Sequence, residues 1–378
     1  MDEKALDEEQ QMRRKRRIAE MKRQKKKQEM LRRQVRLGVA AAGICICIIA
    51  VVVIGIKQNG DLQERMPVSK TAVLKHSLIS EIMPSELAYL ESLSLTTAPY
   101  GAVSDLFYEG YSAQIGSDTP VITSDEVKST NAILVDLDTG EVIAQKAAQE
   151  IVSPASMTKI LTLLVAAEHV TDLDASFTMT QEMTDYAYVH KCSTAGFDVD
   201  ETVTVRDLMY GTILPSGGEA ALGLAVYVAG SQEAFVELMN EKLQELGLSG
   251  TAHFTNCIGL YDENHHCSLY DMAMILKAAA ENDLCREVLS AHIYTTSQTE
   301  QHPDGIELSN WFLRKIEDKD THGEVICAKT GFVDQSGCCG ASYAISNSGK
   351  HYICVTGNAW SSWRCIYDHV AIYQEYTN

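Results

Sequence analysis

What the chain lacks narrows it first. No two of its eleven cysteines stand in a C-x-x-C pair, so the spacing of a zinc site is missing. Basic charge is scarce beyond residue 36, where only 18 of the 32 Lys/Arg lie against 44 of the 51 Asp/Glu. A surface of that sign repels nucleic acid. No internal repeat recurs, which sets aside solenoids and propellers. With 46% hydrophobic and 22% charged residues, the composition favours neither a disordered nor a fibrous class.

The missing basic charge is concentrated at the start. Residues 1–36 carry 14 Lys/Arg and 7 Asp/Glu, and LGVAAAGICICIIAVVVIGI (residues 37–56) follows with no charge at all. Twenty apolar residues suffice for one transmembrane helix. The basic run before it (Arg13, Arg14, Lys15, Arg16, Arg17 and others) predicts a cytoplasmic N-terminus and an extracytoplasmic remainder. A cleaved signal peptide fits less well, because the apolar run is longer than an h-region and no small-x-small cleavage site follows. The expected organisation is a basic cytoplasmic tail (1–36), a membrane anchor (37–56), a stalk (57–125) and a folded domain (126–378).

Nine cysteines follow the apolar run, an odd number, so at least one thiol stays outside any intrachain pairing. A domain of this size folds on its hydrophobic core, so the cysteines need not form a disulfide framework; buried free thiols are one reading, and the pairing stays open.

Order begins near Thr130. NAILVDLDTGEVIAQ (131–145) places apolar runs on either side of Asp138-Thr139-Gly140, the pattern of a β-hairpin. Ser153-Pro154-Ala155-Ser156 then opens MTKILTLLVAAEHV, a buried helix by its spacing. The middle of the chain reads as mainly helical, most clearly over 206–230 and 232–246. Glu324–Ala328 predicts a strand ending at Lys329-Thr330-Gly331; a second hairpin turns at Asn347-Ser348-Gly349, and Ser362–Tyr376 predicts a closing helix. Terminal strands sharing one sheet, with helices packed on it and a helical insertion between, make an α+β architecture.

Three short motifs carry candidate chemistry. Ser156 and Lys159, three positions apart at a helix start, face the same way. The hydroxyl needs a base, and a lysine serves once burial lowers its pKa. Lys329-Thr330-Gly331 offers a cation, a hydroxyl and close backbone approach, a clamp for a carboxylate. Ser216-Gly217-Gly218 lies between two helical segments and, alone, is only a turn. Taken singly, each motif has a bland reading. In this order they form the signature set of penicillin-binding proteins and class A β-lactamases.

With the surrounding stretches AILVDLDTGEVIAQK, PASMTKILT, VRDLMYGTILPSGGEAALGLA, LQELGLSGTAHFTNCIGL, SLYDMAMILKAA and CAKTGFVDQSGCCGASYA, residues 131–376 resemble the D-alanyl-D-alanine carboxypeptidases, the low-molecular-mass penicillin-binding proteins. The resemblance implies a β-lactamase/transpeptidase-like fold: an antiparallel sheet packed with helices plus a helical subdomain. It implies Ser156 as nucleophile, Lys159 as its base and Ser216 as proton relay to the leaving amine. Lys329, Thr330 and Gly331 would hold the terminal carboxylate of a D-Ala-D-Ala stem peptide. The amides of Ser156 and Phe332 would form the oxyanion hole. β-Lactams would acylate the same serine, and no cofactor or metal is implied.

One departure concerns chemistry. The family usually has Asn as the third residue of the middle motif, where this chain has Gly218. That asparagine would help orient substrate and the lysine, so its loss is a route to slowed or redirected catalysis, and Gly218→Asn raises turnover if the missing amide limits the site. Two rivals follow: a wall-sensing penicillin-binding protein of weakened activity, and a class A β-lactamase-like hydrolase, for which the required Ser-Asp-Asn and deacylating glutamate are missing. His265-His266-Cys267 looks like a ligand cluster, but it falls in a family loop and reads better as structure. Cys338-Cys339, Trp360 and Trp363 read as packing.

Overall fold

The computed structural model describes residues 107–377. The basic tail, the apolar segment 37–56 and the first part of the expected stalk lie outside the described residues. Among those described, no helix is long and apolar enough to cross a membrane.

Among the described residues, nine strands and nine helices follow one another, the main-sheet strands falling at the two ends and most of the helices between them. The first hairpin forms where the apolar runs flank the turn: β1 (Asn131–Asp136) and β2 (Glu141–Lys146) pair antiparallel. The Asp136 carboxylate accepts from the Asp138 and Thr139 amides and so closes the turn. β1 is buried on both sides: Ala132 and Leu134 join one apolar cluster, Ile133 and Val135 the other. That two-sided burial makes β1 an interior strand. The late strands β7 (Gly323–Val333), β8 (Gly337–Ser346) and β9 (His351–Ala359) complete a five-stranded antiparallel sheet in the order β2-β1-β9-β8-β7. β7 is therefore an edge.

Helices cover both faces. On one lies the closing helix, Ser362–Tyr376, whose start Ser361 caps by accepting from the Arg364 amide. Its Ile366, Val370 and Tyr373 pack on the sheet, each contributing about 1.5–3 kcal/mol by burial. On the other face lie α1 (Thr158–His169) and α6 (Leu269–Glu281), the latter started by a capping box of Ser268 and Asp271. Between α1 and α6 the chain inserts α2 (Gln181–Val189), α3 (Val205–Ile213), α4 (Gly218–Ala229) and α5 (Gln232–Glu245). Two three-residue hairpins, β3 (Ser176–Thr178) with β4 (Thr202–Thr204) and β5 (Ile293–Thr295) with β6 (Glu307–Ser309), lie outside the main sheet. Short helices α7 (Asp283–Ser290) and α8 (Leu313–Ile316) complete the chain order before the closing helix, α9.

Several expectations need correction. Residues 107–125, read as the end of a stalk, belong to the folded body: Phe107 and Ile122 are buried, and Gln114 and Val121 bridge to β2. Lys329-Thr330-Gly331 does not terminate a strand but sits inside β7, with Lys329 opposite Ala341. Trp360 is 77% exposed rather than packed, whereas Trp363 meets Trp311 edge to face. The described cysteines form no disulfide, and seven of the nine are buried.

Candidate active site

The chain reaches Ser156 through a strained turn. Ala155 has φ 49°, a left-handed conformation that L-residues rarely adopt, and a single 3-10 turn (Ala155–Met157) then runs into α1. Gly259, at φ +90°, lies directly against this turn; a Cβ there would run into the Ala155 carbonyl, so glycine is required. α1 is buried from Thr158 to Ala166, which fixes the ends of both Ser156 and Lys159.

Lys159 Nζ lies 3.1 Å from Ser156 Oγ and donates at 2.7 Å to the carbonyl of Ile258. The Lys159 side chain is almost fully buried. Burial lowers the Lys159 pKa to about 8, against smaller opposing effects of Cys192, Cys257 and Glu219. A neutral amine at that distance from a serine hydroxyl can take its proton. The Ile258 carbonyl is delivered by a tight loop. Asn256 Oδ1 accepts from the amides of Ile258, Gly259 and Leu260, and its Nδ2 donates to the Leu260 carbonyl.

The second pair comes from elsewhere in the chain. Between α3 and α4 the backbone turns sharply, with Ser216 at φ 65°. Such a conformation costs roughly 1–3 kcal/mol for a non-glycine residue, and strain of this kind concentrates at functional sites. Ser216 Oγ accepts from Lys329 Nζ at 2.9 Å, and the same Nζ donates to the Thr330 carbonyl at 2.8 Å. Burial, reinforced by the like charge of Lys159, holds the Lys329 pKa well below the ordinary lysine value. β7 passes close to the nucleophile: a Cβ on Gly331 would sit 3.0 Å from the Ser156 amide nitrogen. Glycine there lets the strand approach. Phe332, one residue on, turns a 61% exposed side chain to solvent.

Gly218 opens α4, and its amide donates to the Ser193 carbonyl at 2.8 Å. The structure argues against the expectation that asparagine is simply missing there. A Cβ at 218 would stand 2.7 Å from the Cβ of Cys192, so the space is already filled.

Two contributors escaped the sequence reading. Glu219, almost fully buried, accepts from the Ala195 and Gly196 amides at 2.6 and 2.9 Å and ties that segment to the start of α4. Asn256 shapes the loop at Lys159, and its one legible signal was an Asn followed three positions later by Gly, a turn pattern. His265 is a core residue. Its Nδ1 accepts from the Thr255 amide at 3.0 Å, so the proton rests on Nε2, 2.8 Å from Thr158 Oγ1, and the ring stacks on Phe254. Among the described residues no group of three or more His, Cys, Asp or Glu could hold a metal ion. A cavity of about 360 Å³ opens behind the 3-10 turn, lined by Ser153, Met157, Tyr261 and Asn358 among others, but it does not contain Ser156 or either lysine.

A serine one turn from a buried lysine, with a second serine–lysine pair at the sheet edge, is the arrangement expected of the penicillin-binding class. Residues 118–360 match the D-alanyl-D-alanine carboxypeptidase family, and the chain belongs to it. It is 35% identical over 150 residues to the D-alanyl-D-alanine carboxypeptidase DacF of Bacillus subtilis, a match covering 40% of this chain and 38% of that protein. It is 34% identical over 181 residues to a D-alanyl-D-alanine carboxypeptidase of Streptomyces sp. K15, covering 46% and 62%. The crystal structure of the Streptomyces K15 DD-transpeptidase superposes with a TM-score of 0.60 at 26% identity, over 67% of this chain and 98% of that one. The matches thus span less than two thirds of these curated relatives' own lengths.

Proposed function

We propose that the protein is a serine D-Ala-D-Ala carboxypeptidase that removes the terminal D-alanine from peptidoglycan stem peptides. The observation that carries this reading is the pairing of Ser156 with a buried Lys159 whose pKa is about 8. Lys159 takes the Ser156 proton as the hydroxyl attacks the carbonyl of the D-Ala-D-Ala bond. The amides of Ser156 and Phe332 stabilise the resulting oxyanion. As the tetrahedral intermediate collapses, the proton taken by Lys159 is relayed through the Ser216 hydroxyl to the leaving D-alanine amine, which leaves Lys159 neutral again and the acyl group on Ser156. Water, deprotonated by the same base, then attacks the ester and frees the shortened peptide.

Lys329, with Thr330 and Gly331, holds the terminal carboxylate. Burial disfavours the charge on Lys329; an arriving carboxylate reverses that by pairing with it. β7, being an edge strand, has room for an extended peptide alongside. β-Lactams, which carry a carboxylate and a strained amide, acylate Ser156 in the same way. The apolar segment 37–56 anchors the protein in the cytoplasmic membrane with the domain outside, as its basic flank supports.

Covalent labelling by a fluorescent penicillin tests the nucleophile. The wild type is labelled and Ser156→Ala is not; labelling of the variant at the wild-type level would remove Ser156 from this role.

A further inference from the structure

We infer that Cys192 lines the catalytic site in place of a third side chain from the middle motif, so that Gly218 and Cys192 form a reciprocal pair. The inference rests on the reading of Ser216-Gly217-Gly218 as that motif. Where the family usually has asparagine, this chain has Gly218, and the side chain of Cys192 stands against it.

The geometry is specific. A Cβ on Gly218 would lie 2.7 Å from Cys192 Cβ, 3.1 Å from its Sγ and 3.6 Å from Ile258 Cγ2. Ile258 is the residue whose carbonyl accepts from Lys159. The volume that Cys192 fills is thus the one beside the base, where a third motif side chain would point.

The segment that carries Cys192 is held in place by independent contacts. The Cys192 amide donates to the Ala187 carbonyl at 2.9 Å, and the Ser193 carbonyl accepts from the Gly218 amide. Glu219 holds the Ala195 and Gly196 amides. Gly217 is required as well: a Cβ there would meet the Ala195 nitrogen at 2.9 Å and the Gly211 carbonyl at 2.7 Å. Two consecutive glycines therefore let a strap, residues 192–196, lie flat on the motif, and Cys192 is the strap's side chain at its catalytic end. Asparagine at 218 and a side chain at 192 exclude each other.

The test is a double-mutant cycle of Gly218→Asn, Cys192→Gly and the two combined, read by Tm and by the rate of acylation with a fluorescent penicillin. Glycine rather than alanine is needed at 192 because the closest approach is to Cβ. Gly218→Asn alone is expected to lower Tm by roughly 3–10 °C, the effect of overpacking in a domain of this size, and to slow acylation at least tenfold. In the combined variant both return to within about 2 °C and threefold of Cys192→Gly, a non-additivity expected of contacting residues. Wild-type behaviour of Gly218→Asn, or additive losses in the combined variant, would overturn the pairing. If none of the four proteins is acylated, the peptidase reading fails, while the Tm cycle still decides the pairing.

Alkylation checks the position of the thiol by a route that needs no variant. Of the described cysteines only Cys192 and Cys338 are not buried. Iodoacetamide, from which the sulfur displaces iodide, is expected to label both in the native protein. Prior acylation of Ser156 by penicillin shields Cys192 at least fivefold and leaves Cys338 unchanged. Absence of label at Cys192, or labelling indifferent to the acyl group, contradicts its place in the site.

Discussion

Lys329 Nζ and Ser216 Oγ lie 2.9 Å apart although 113 residues separate them in the chain. One stands on the edge strand β7, the other on a strained turn of the helical insertion, so the two parts of the domain meet at this bond. The catalytic reading needs both: the hydroxyl as proton relay and the ammonium as carboxylate anchor.

Removing the relay separates these roles. Ser216→Ala is expected to lower kcat on a D-Ala-D-Ala peptide by about 10²–10⁴-fold, the range of a lost proton-transfer group, with KM changed less than about threefold. Steady-state kinetics measures this. A variant that raises KM and leaves kcat untouched would make Ser216 a binding residue only.

Lys159 sets the pH dependence. With its pKa near 8, the base is mostly protonated at pH 6, so acylation by penicillin rises about tenfold per pH unit and levels off above pH 8. Glu219 favours the charged lysine, so Glu219→Gln, which keeps an oxygen for the Ala195 amide, moves the inflection to lower pH. An inflection unmoved by that change would show that the two groups do not interact.

The strap depends on an acceptor at 219 rather than on its charge. Glu219→Ala leaves the buried Ala195 amide without a partner, a loss of about 1–3 kcal/mol. It is expected to slow acylation at least tenfold, against less than threefold for Glu219→Gln. Equal losses in the two variants would assign the effect to charge.

Acid sensitivity follows from two buried neutral histidines. Burial lowers the pKa of His265 to about 3 and of His369 to about 4, both below the unfolded value near 6.5. As pH falls below 6.5 the unfolded chain binds protons that the folded one refuses, so stability drops until the folded pKa values are reached. Each contributes a slope approaching about 1.4 kcal/mol per pH unit. Denaturant unfolding at pH 7, 6 and 5 measures the fall. His265→Gln keeps a donor for Thr158 and cannot titrate, so it should flatten the slope by one histidine's share; an unchanged slope would place the titration elsewhere.

Much of this was legible in the sequence, for identifiable reasons. The β1–β2 hairpin and the helix Ser362–Tyr376 announce themselves by alternation and by helical spacing, signals that burial on one side or both imposes. Lys329-Thr330-Gly331 looks like a strand end in the sequence, because Gly331 and the polar residues break the apolar pattern. Its strand continues since β8 supplies partners through Val333. The hairpins β3–β4 and β5–β6 are three residues per strand, too short for any period to show. The contact of Gly218 with Cys192 and the bond from Lys159 to Ile258, 99 residues on, depend on tertiary approach and leave no local trace.

The most direct test of the account is release of D-alanine from diacetyl-Lys-D-Ala-D-Ala by residues 107–378, a fragment that retains the whole described body, beside the same fragment carrying Ser156→Ala. The account predicts release by the first and none by the second. No release by either, with no covalent penicillin, would contradict the mechanism built on Ser156 and Lys159.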